Sequence, residues 1–179
     1  KTWRYELFYR DYVIGMVLFA LVLGFTMGSI GSEGRPFVED LMQADGKGII
    51  SVLIGGVIFN ASNILLSASV SLAGMSVAFP LGVGLALVLG VIINYMGAPK
   101  GDPTLLFIGV ALVVVAIICY GLASGRMIKS GEAGASNRKG IILSMVAGVL
   151  MSFFYRFVAA AMDLDNFEQP TAGMLTPYS

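Results

Sequence analysis

With 57% hydrophobic and only 12% charged residues among 179, no histidine and a formal net charge of zero, the chain has the composition of a membrane protein rather than of a soluble domain. A basic nucleic-acid surface and a His-ligated metal site therefore have no support. Cys119 stands alone in an apolar run, cannot form an internal disulfide and reads as a small hydrophobe.

The chain opens at Lys1 rather than Met, directly in an aromatic and charged segment, without a signal peptide. It reads as a piece of a longer protein, with residues expected beyond both Lys1 and Ser179. Runs of roughly 20 apolar residues predict five membrane-spanning helices, at 12–31, 49–71, 75–96, 105–124 and 140–162. The fold class is thus an all-α polytopic helical bundle.

The first run is entered through Trp3, Tyr5, Phe8, Tyr9 and Tyr12, an aromatic belt of the kind that marks a membrane interface. Arg10 interrupts that belt without an evident reason. The second run carries Asn60, Asn63 and Ser67. At about 100° per residue the three fall in one narrow stripe, which Gly56 and Ser71 extend. Two amides with about eight hydrogen-bonding sites between them must face protein, a cavity or substrate if the helix crosses a bilayer. Asn60 lies near the centre of its run and hence near the midplane, where secondary transporters bind their cargo. The alternative is that both asparagines bond neighbouring helices. Ser51, Gly55, Ser62 and Ser69 occupy the opposite face and predict close packing there too, which makes this helix a central one.

Only residues 72–74 separate the second run from the third, which predicts a tight antiparallel hairpin turning at Gly74. In the third run Pro80 removes a backbone donor and frees the Ser76 carbonyl, and Gly82, Ala86 and Gly90 form a small-residue seam. Pro80 and Gly84 read either as structural bends or as a broken, gating helix that lines a cavity. The 125–139 stretch, rich in Gly, Ser and basic residues, is the most linker-like part of the chain. In the fifth run Arg156 is the only charge inside any of the five. It either snorkels outward, helped by Asp163, or holds a substrate oxygen beside Tyr155. Gly148, Ser152, Tyr155 and Arg156 fall close to one face and offer a polar wall.

Lys and Arg counts set the orientation. Seven (Lys1, Arg4, Arg10, Arg126, Lys129, Arg138, Lys139) fall on one side and three (Arg35, Lys47, Lys100) on the other. Residues 1–11, the 72–74 turn and 125–139 are therefore expected in the cytoplasm, with 32–48 and 97–104 outside. No Asp or Glu lies inside a run, so a carboxylate for ion coupling would stand at an edge, such as Asp11 or Asp163, or outside this chain. No catalytic constellation, P-loop or metal-ligand cluster is present in the sequence, which argues against an enzyme.

The stretches WRYELFYRDYVIG, GGVIFNASNILLSASVSLAGMSVAFPLGVGLALVLGVIINY and GDPTLLFIGVALVVVAI resemble the ten-span sugar and ureide permeases of the drug/metabolite transporter superfamily, most closely the bacterial glucose/ribose porter type. The resemblance implies ten helices in two inverted five-helix repeats, of which the five runs would be spans two to six. Residues 1–124 would then belong to the first repeat, 125–139 to a cytoplasmic inter-repeat loop and 140–179 to the start of the second. The 125–139 stretch has no GxxxxGK pattern like that of the plant ureide permeases' central loop, which favours the bacterial branch and a bacterial cytoplasmic membrane.

Taken with the stripe, the resemblance implies a secondary transporter that moves a small polar metabolite, a sugar above all, by alternating access. Asn60, Asn63, Ser67, Tyr155 and Arg156 would bind the substrate. No cofactor is expected beyond a coupling proton or sodium ion, and the partners are the small-molecule substrate and the lipid bilayer, not nucleic acid; oligomeric state is not legible. Two rivals remain: an exporter of amphipathic compounds using Phe59, Phe79, Phe153 and Phe154, and a non-transporting membrane scaffold in which the asparagines are helix glue.

Overall fold

A computed structural model describes residues 5–30, 35–99, 101–129, 138–166 and 171–176. Among them are six helices: α1 (Tyr5–Phe25), α2 (Phe37–Gln43), α3 (Gly46–Ala73), α4 (Met75–Gly97), α5 (Pro103–Lys129) and α6 (Arg138–Ala159). All but α2 are long and apolar enough to cross a membrane.

Each apolar run became a helix, and the differences lie at the ends. α1 begins seven residues before the expected 12 and stops at Phe25, six short of the expected 31. Past Phe25 the bonding changes register: the Gly28 amide donates to the Leu23 oxygen five residues back (2.9 Å), and Ser29 Oγ takes that of Gly24 (2.9 Å). Arg10 sits inside this helix with its guanidinium 3.3 Å from the Asp11 carboxylate, an exposed pair worth little to stability. α5 continues through 125 to Lys129, so the stretch expected as a linker from 125 starts instead in helix; residues 130–137 lie outside the described residues. α6 ends at Ala159, three residues before the expected 162. The hairpin turn contracts to Gly74, whose φ of +83° is a conformation that favours glycine.

The chain divides into two compact units, Lys1–Ile50 with Ala159–Ser179, and Ser51–Val158. In the second unit, α6 packs against both members of the α3–α4 hairpin. It runs antiparallel to α3, where Ser62 Oγ donates to the Ala147 oxygen (2.7 Å) and Ser69 Oγ to that of Gly140 (2.6 Å). It runs parallel to α4, where Ser144 Oγ donates to the Ala78 oxygen (2.6 Å) and a methyl added at Gly148 would stand 2.5 Å from the Gly82 oxygen. The seam at Gly82, Ala86 and Gly90 therefore lets two backbones meet. α5 lies antiparallel along α4, with Ile117 filling the place of a side chain at Gly84 and Tyr95 edge-on to Phe107.

This core is built from small and polar groups. Ala78, Ala86, Ala147 and a single Leu66 are its buried apolar residues, whereas Ser62, Ser69 and Ser144 are fully buried. Large apolar side chains such as Leu53, Leu112, Val115 and Ile118 point outward. That inversion of a soluble core is what a bilayer selects, because lipid is as apolar as leucine and helices adhere through close backbone approach and hydrogen bonds.

Candidate functional site

The geometry of α3 sorts its polar residues by face. Ser51, Gly55, Ser62 and Ser69 meet α6: Ser51 Oγ donates to the Phe157 oxygen (2.7 Å), and a methyl at Gly55 would touch the Phe154 oxygen and Val158 at 3.1 Å. Each hydroxyl needs an acceptor in a waterless setting, and each finds a backbone carbonyl of α6.

The stripe lies on another face. Asn60 is exposed, Asn63 and Ser67 are half-buried, and nothing stands within 4 Å of a methyl placed at Gly56. Ser71, at the end of the stripe, returns its hydroxyl to the Ala68 oxygen of its own helix. The structure thus keeps Asn60, Asn63 and Ser67 together on one open face, turned away from the face that binds α6.

The residues expected from α6 sit differently. Gly148 and Ser152 do not form an open polar wall: both are buried, Gly148 against the Gly82 backbone and Ser152 with its hydroxyl on the Val149 oxygen of its own helix. Tyr155 is exposed, its ring 6.3 Å from that of Phe154, which in turn lies 4.9 Å from Phe59 on α3. Phe59 precedes Asn60, so this ring cluster stands at the level of the stripe. Arg156 reaches the last residue of α4, its guanidinium against Gly97. A cation at a helix C-terminus is favoured by the dipole. Pro80 and Gly84 fall inside α4, which is one uninterrupted helix from Met75 to Gly97, and Gly84 receives the Ile117 side chain of α5.

Asp163 serves its own loop. It accepts from the Asp165, Asn166 and Thr171 amides (3.0–3.1 Å) and from the Thr171 hydroxyl (2.6 Å). The Thr171 hydroxyl first, then the Thr171 and Asp165 amides, hold its carboxyl well below the ordinary 3.8, against an opposing effect of burial. The carboxyl is thus held in its charged form by the loop it organises.

Composition gave no sign of a second polar cluster, in the unit containing α1 and α2. Asp40 is fully buried and accepts from Arg35 Nε (2.9 Å), Gln43 Nε2 (3.1 Å) and the Thr176 amide (2.6 Å). Gln43 also receives the Gly173 amide and donates to the Met174 oxygen. The available signal was local: Pro36 followed by Glu39 and Asp40 is a helix start with acidic residues in the first turn. Among the described residues no group of His, Cys, Asp or Glu is arranged to hold a metal ion.

Comparison with known proteins adds the remaining findings. The ureide permease family model matches residues 8–131. Ureide permease 2 of Arabidopsis thaliana is 30% identical over 122 residues, 66% of this chain and 30% of that protein. Ureide permease 1 of the same plant is 27% identical over 116 residues, 64% of this chain and 30% of its own length. The L-rhamnose-proton symporter of Yersinia pestis bv. Antiqua (strain Antiqua) is 28% identical over 170 residues, 86% of this chain and 47% of its own. The chain thus spans less than half the length of these relatives. No solved structure matches it.

Proposed function

Because the chain belongs to the ureide permease family, we propose that it forms one wall of a secondary transporter that carries a small, neutral, hydrogen-bonding metabolite by alternating access. A permease family places it among transport proteins rather than enzymes. The observation that carries the reading is the division of labour on α3. Ser51, Ser62 and Ser69 bond α6, whereas Asn60, Asn63 and Ser67 stand on another face of α3, Asn60 exposed and the other two half-buried.

Amides and hydroxyls suit a neutral cargo. They both donate and accept, and they avoid the desolvation penalty of a charge. The relatives' names, ureide permease and L-rhamnose-proton symporter, describe two cargo classes that fit: an acyl-urea pairs with an asparagine amide through two antiparallel hydrogen bonds, and a sugar hydroxyl bonds either end of it. We take a sugar as the first candidate, with Tyr155 stacking on its ring, and a bacterial inner membrane as the setting, with 1–11 and the 138–140 end of α6 cytoplasmic. Arg156, at the end of α4, would bond a substrate oxygen only as the outer mouth closes. Pro80 and Gly84 would act in gating through how α4 moves against α5. Coupling to protons or sodium belongs to the same proposal; α3 to α6 contain no Asp or Glu, so within this chain Asp11 of α1 is the candidate carboxylate.

The Phe59–Phe154–Tyr155 ring cluster supports a second reading, an exporter of amphipathic compounds. Uptake into proteoliposomes containing the full-length protein separates them. Competition by neutral sugars or ureides and not by lipophilic cations is expected; the reverse order would favour the exporter, and no flux of any solute would favour a scaffold.

A further inference from the structure

α3 and α6 stand on opposite sides of the stretch that the sequence marks as a junction between repeats, yet they are joined throughout. In the Ser51–Val158 unit, the hydroxyls of Ser62 and Ser69 are completely buried and reach the carbonyls of Ala147 and Gly140. The donors are seven residues apart, and so are the acceptors. A spacing of seven on both helices keeps one seam facing its partner over successive turns. Gly55 and Gly140 bring the backbones together: a methyl on Gly140 would stand 2.7 Å from the Ala73 Cβ.

Within the other unit the first turn of α3 and the segment after α6 are tied again. The Asp45 amide donates to the Gly173 oxygen (2.8 Å), Gly48 faces Ala161, and the Met162–Leu175 bridge folds the chain back toward Asp40 and Gln43. The Ser62 and Ser69 bonds are made by fully buried hydroxyls, with no water in a membrane to replace a lost partner. A slide or rotation between the two helices would leave several donors unpaired at once and drive side chains into glycine notches. Packed interfaces of this kind switch between discrete arrangements rather than deform gradually.

From this, and resting on the alternating-access reading above, we propose that α3 and α6 travel as one rigid pair. The boundary between moving parts then does not run between them. The Asn60, Asn63 and Ser67 stripe rides on this pair, and the wall that opens and closes over it is supplied from the stripe's open side.

A covalent link tests the pairing. A side chain begun at Gly48 would stand 3.6 Å from the Ala161 Cβ, within the usual disulfide range of about 3.5–4.5 Å. The double variant Gly48→Cys, Ala161→Cys is made in a Cys119→Ser background of the full-length protein. Gly48→Cys alone, which places the same side chain without a link, controls for any disturbance of folding. Two results are expected. The oxidised protein takes up radiolabelled L-rhamnose or a neutral ureide as fast as its reduced form. Link formation in membranes is equally complete with and without solute or a proton gradient. Loss of uptake on oxidation that reduction restores, or link formation that depends on solute or gradient, would overturn the rigid pair. Uptake by the wild-type protein over empty vesicles tests the transport reading by itself, and the dependence of link formation needs no uptake at all.

Discussion

Replacing Gly148 by alanine is the perturbation whose effect the geometry determines best. The added methyl would lie 2.5 Å from the Gly82 carbonyl oxygen, 3.2 Å from the Leu85 Cβ and 3.3 Å from the Gly82 carbonyl carbon. Two of those atoms are helix backbone, so relief requires α4 and α6 to separate, and separation stretches the 2.6 Å bond from Ser144 to Ala78. Alanine gains about 1 kcal/mol over glycine in helix propensity, while overpacking a close contact costs roughly 1–3 kcal/mol. With backbone on the far side the upper half of that range applies, for a net loss of about 1–2 kcal/mol. Two companions calibrate the result. At Gly84 the methyl meets the Ile117 side chain, Cδ1 at 2.6 Å and Cγ1 at 2.8 Å, but no backbone, so a side-chain shift gives relief; at Gly109 it meets nothing within 4 Å. Thermal unfolding of the full-length protein in detergent should rank Gly109→Ala at or above wild type, Gly84→Ala close to it and Gly148→Ala clearly below. A Gly148→Ala protein as stable as Gly109→Ala would refute the close α4–α6 approach.

Three other outcomes follow from the polar clusters and the topology. Arg35→Met leaves the buried Asp40 carboxylate without its cation, an imbalance of about 3–5 kcal/mol; amide exchange at Thr176, which donates to Asp40, should accelerate. Asp163→Asn should speed exchange of the Thr171 amide at neutral pH. Because the native carboxyl titrates below its ordinary 3.8, its stabilisation is fully present above that value and fades as pH falls toward the lower native one, so the protection of that amide relative to its intrinsic exchange rate should not change in wild type between about pH 7 and 5. With Cys119 replaced, Met75→Cys and Met96→Cys, both exposed at opposite ends of α4, should label with a membrane-impermeant maleimide from opposite faces, the first from the cytoplasm; labelling of both from one face would overturn the topology.

Helix existence was readable because a bilayer demands about 20 apolar residues, and that demand leaves a plain mark on sequence. One packing face was readable too: the helical spacing of Ser51, Gly55, Ser62 and Ser69 announced a close contact, though only the structure shows that α6 makes it. Helix ends were not, since α1 gives way to turns inside an apolar run and the run of α5 to Lys129 crosses residues that composition assigns to a linker. The Asp40 cluster escaped because, although Arg35 and Gln43 lie within five residues of Asp40, the Thr176 amide that completes it comes from 136 positions away and reaches it only through folding. Gly148 and Ser152 share the polar character of a cavity wall with that of a close helix contact, and only the neighbour, Gly82 or Gly90, tells which applies.

Asn60→Leu in the full-length protein reconstituted into vesicles tests the central claim most directly. It should abolish uptake of the transported solute while leaving membrane insertion intact, since the serine bonds from α3 to α6 are untouched. Wild-type transport kinetics in that variant would contradict the assignment of the stripe as a substrate-binding wall.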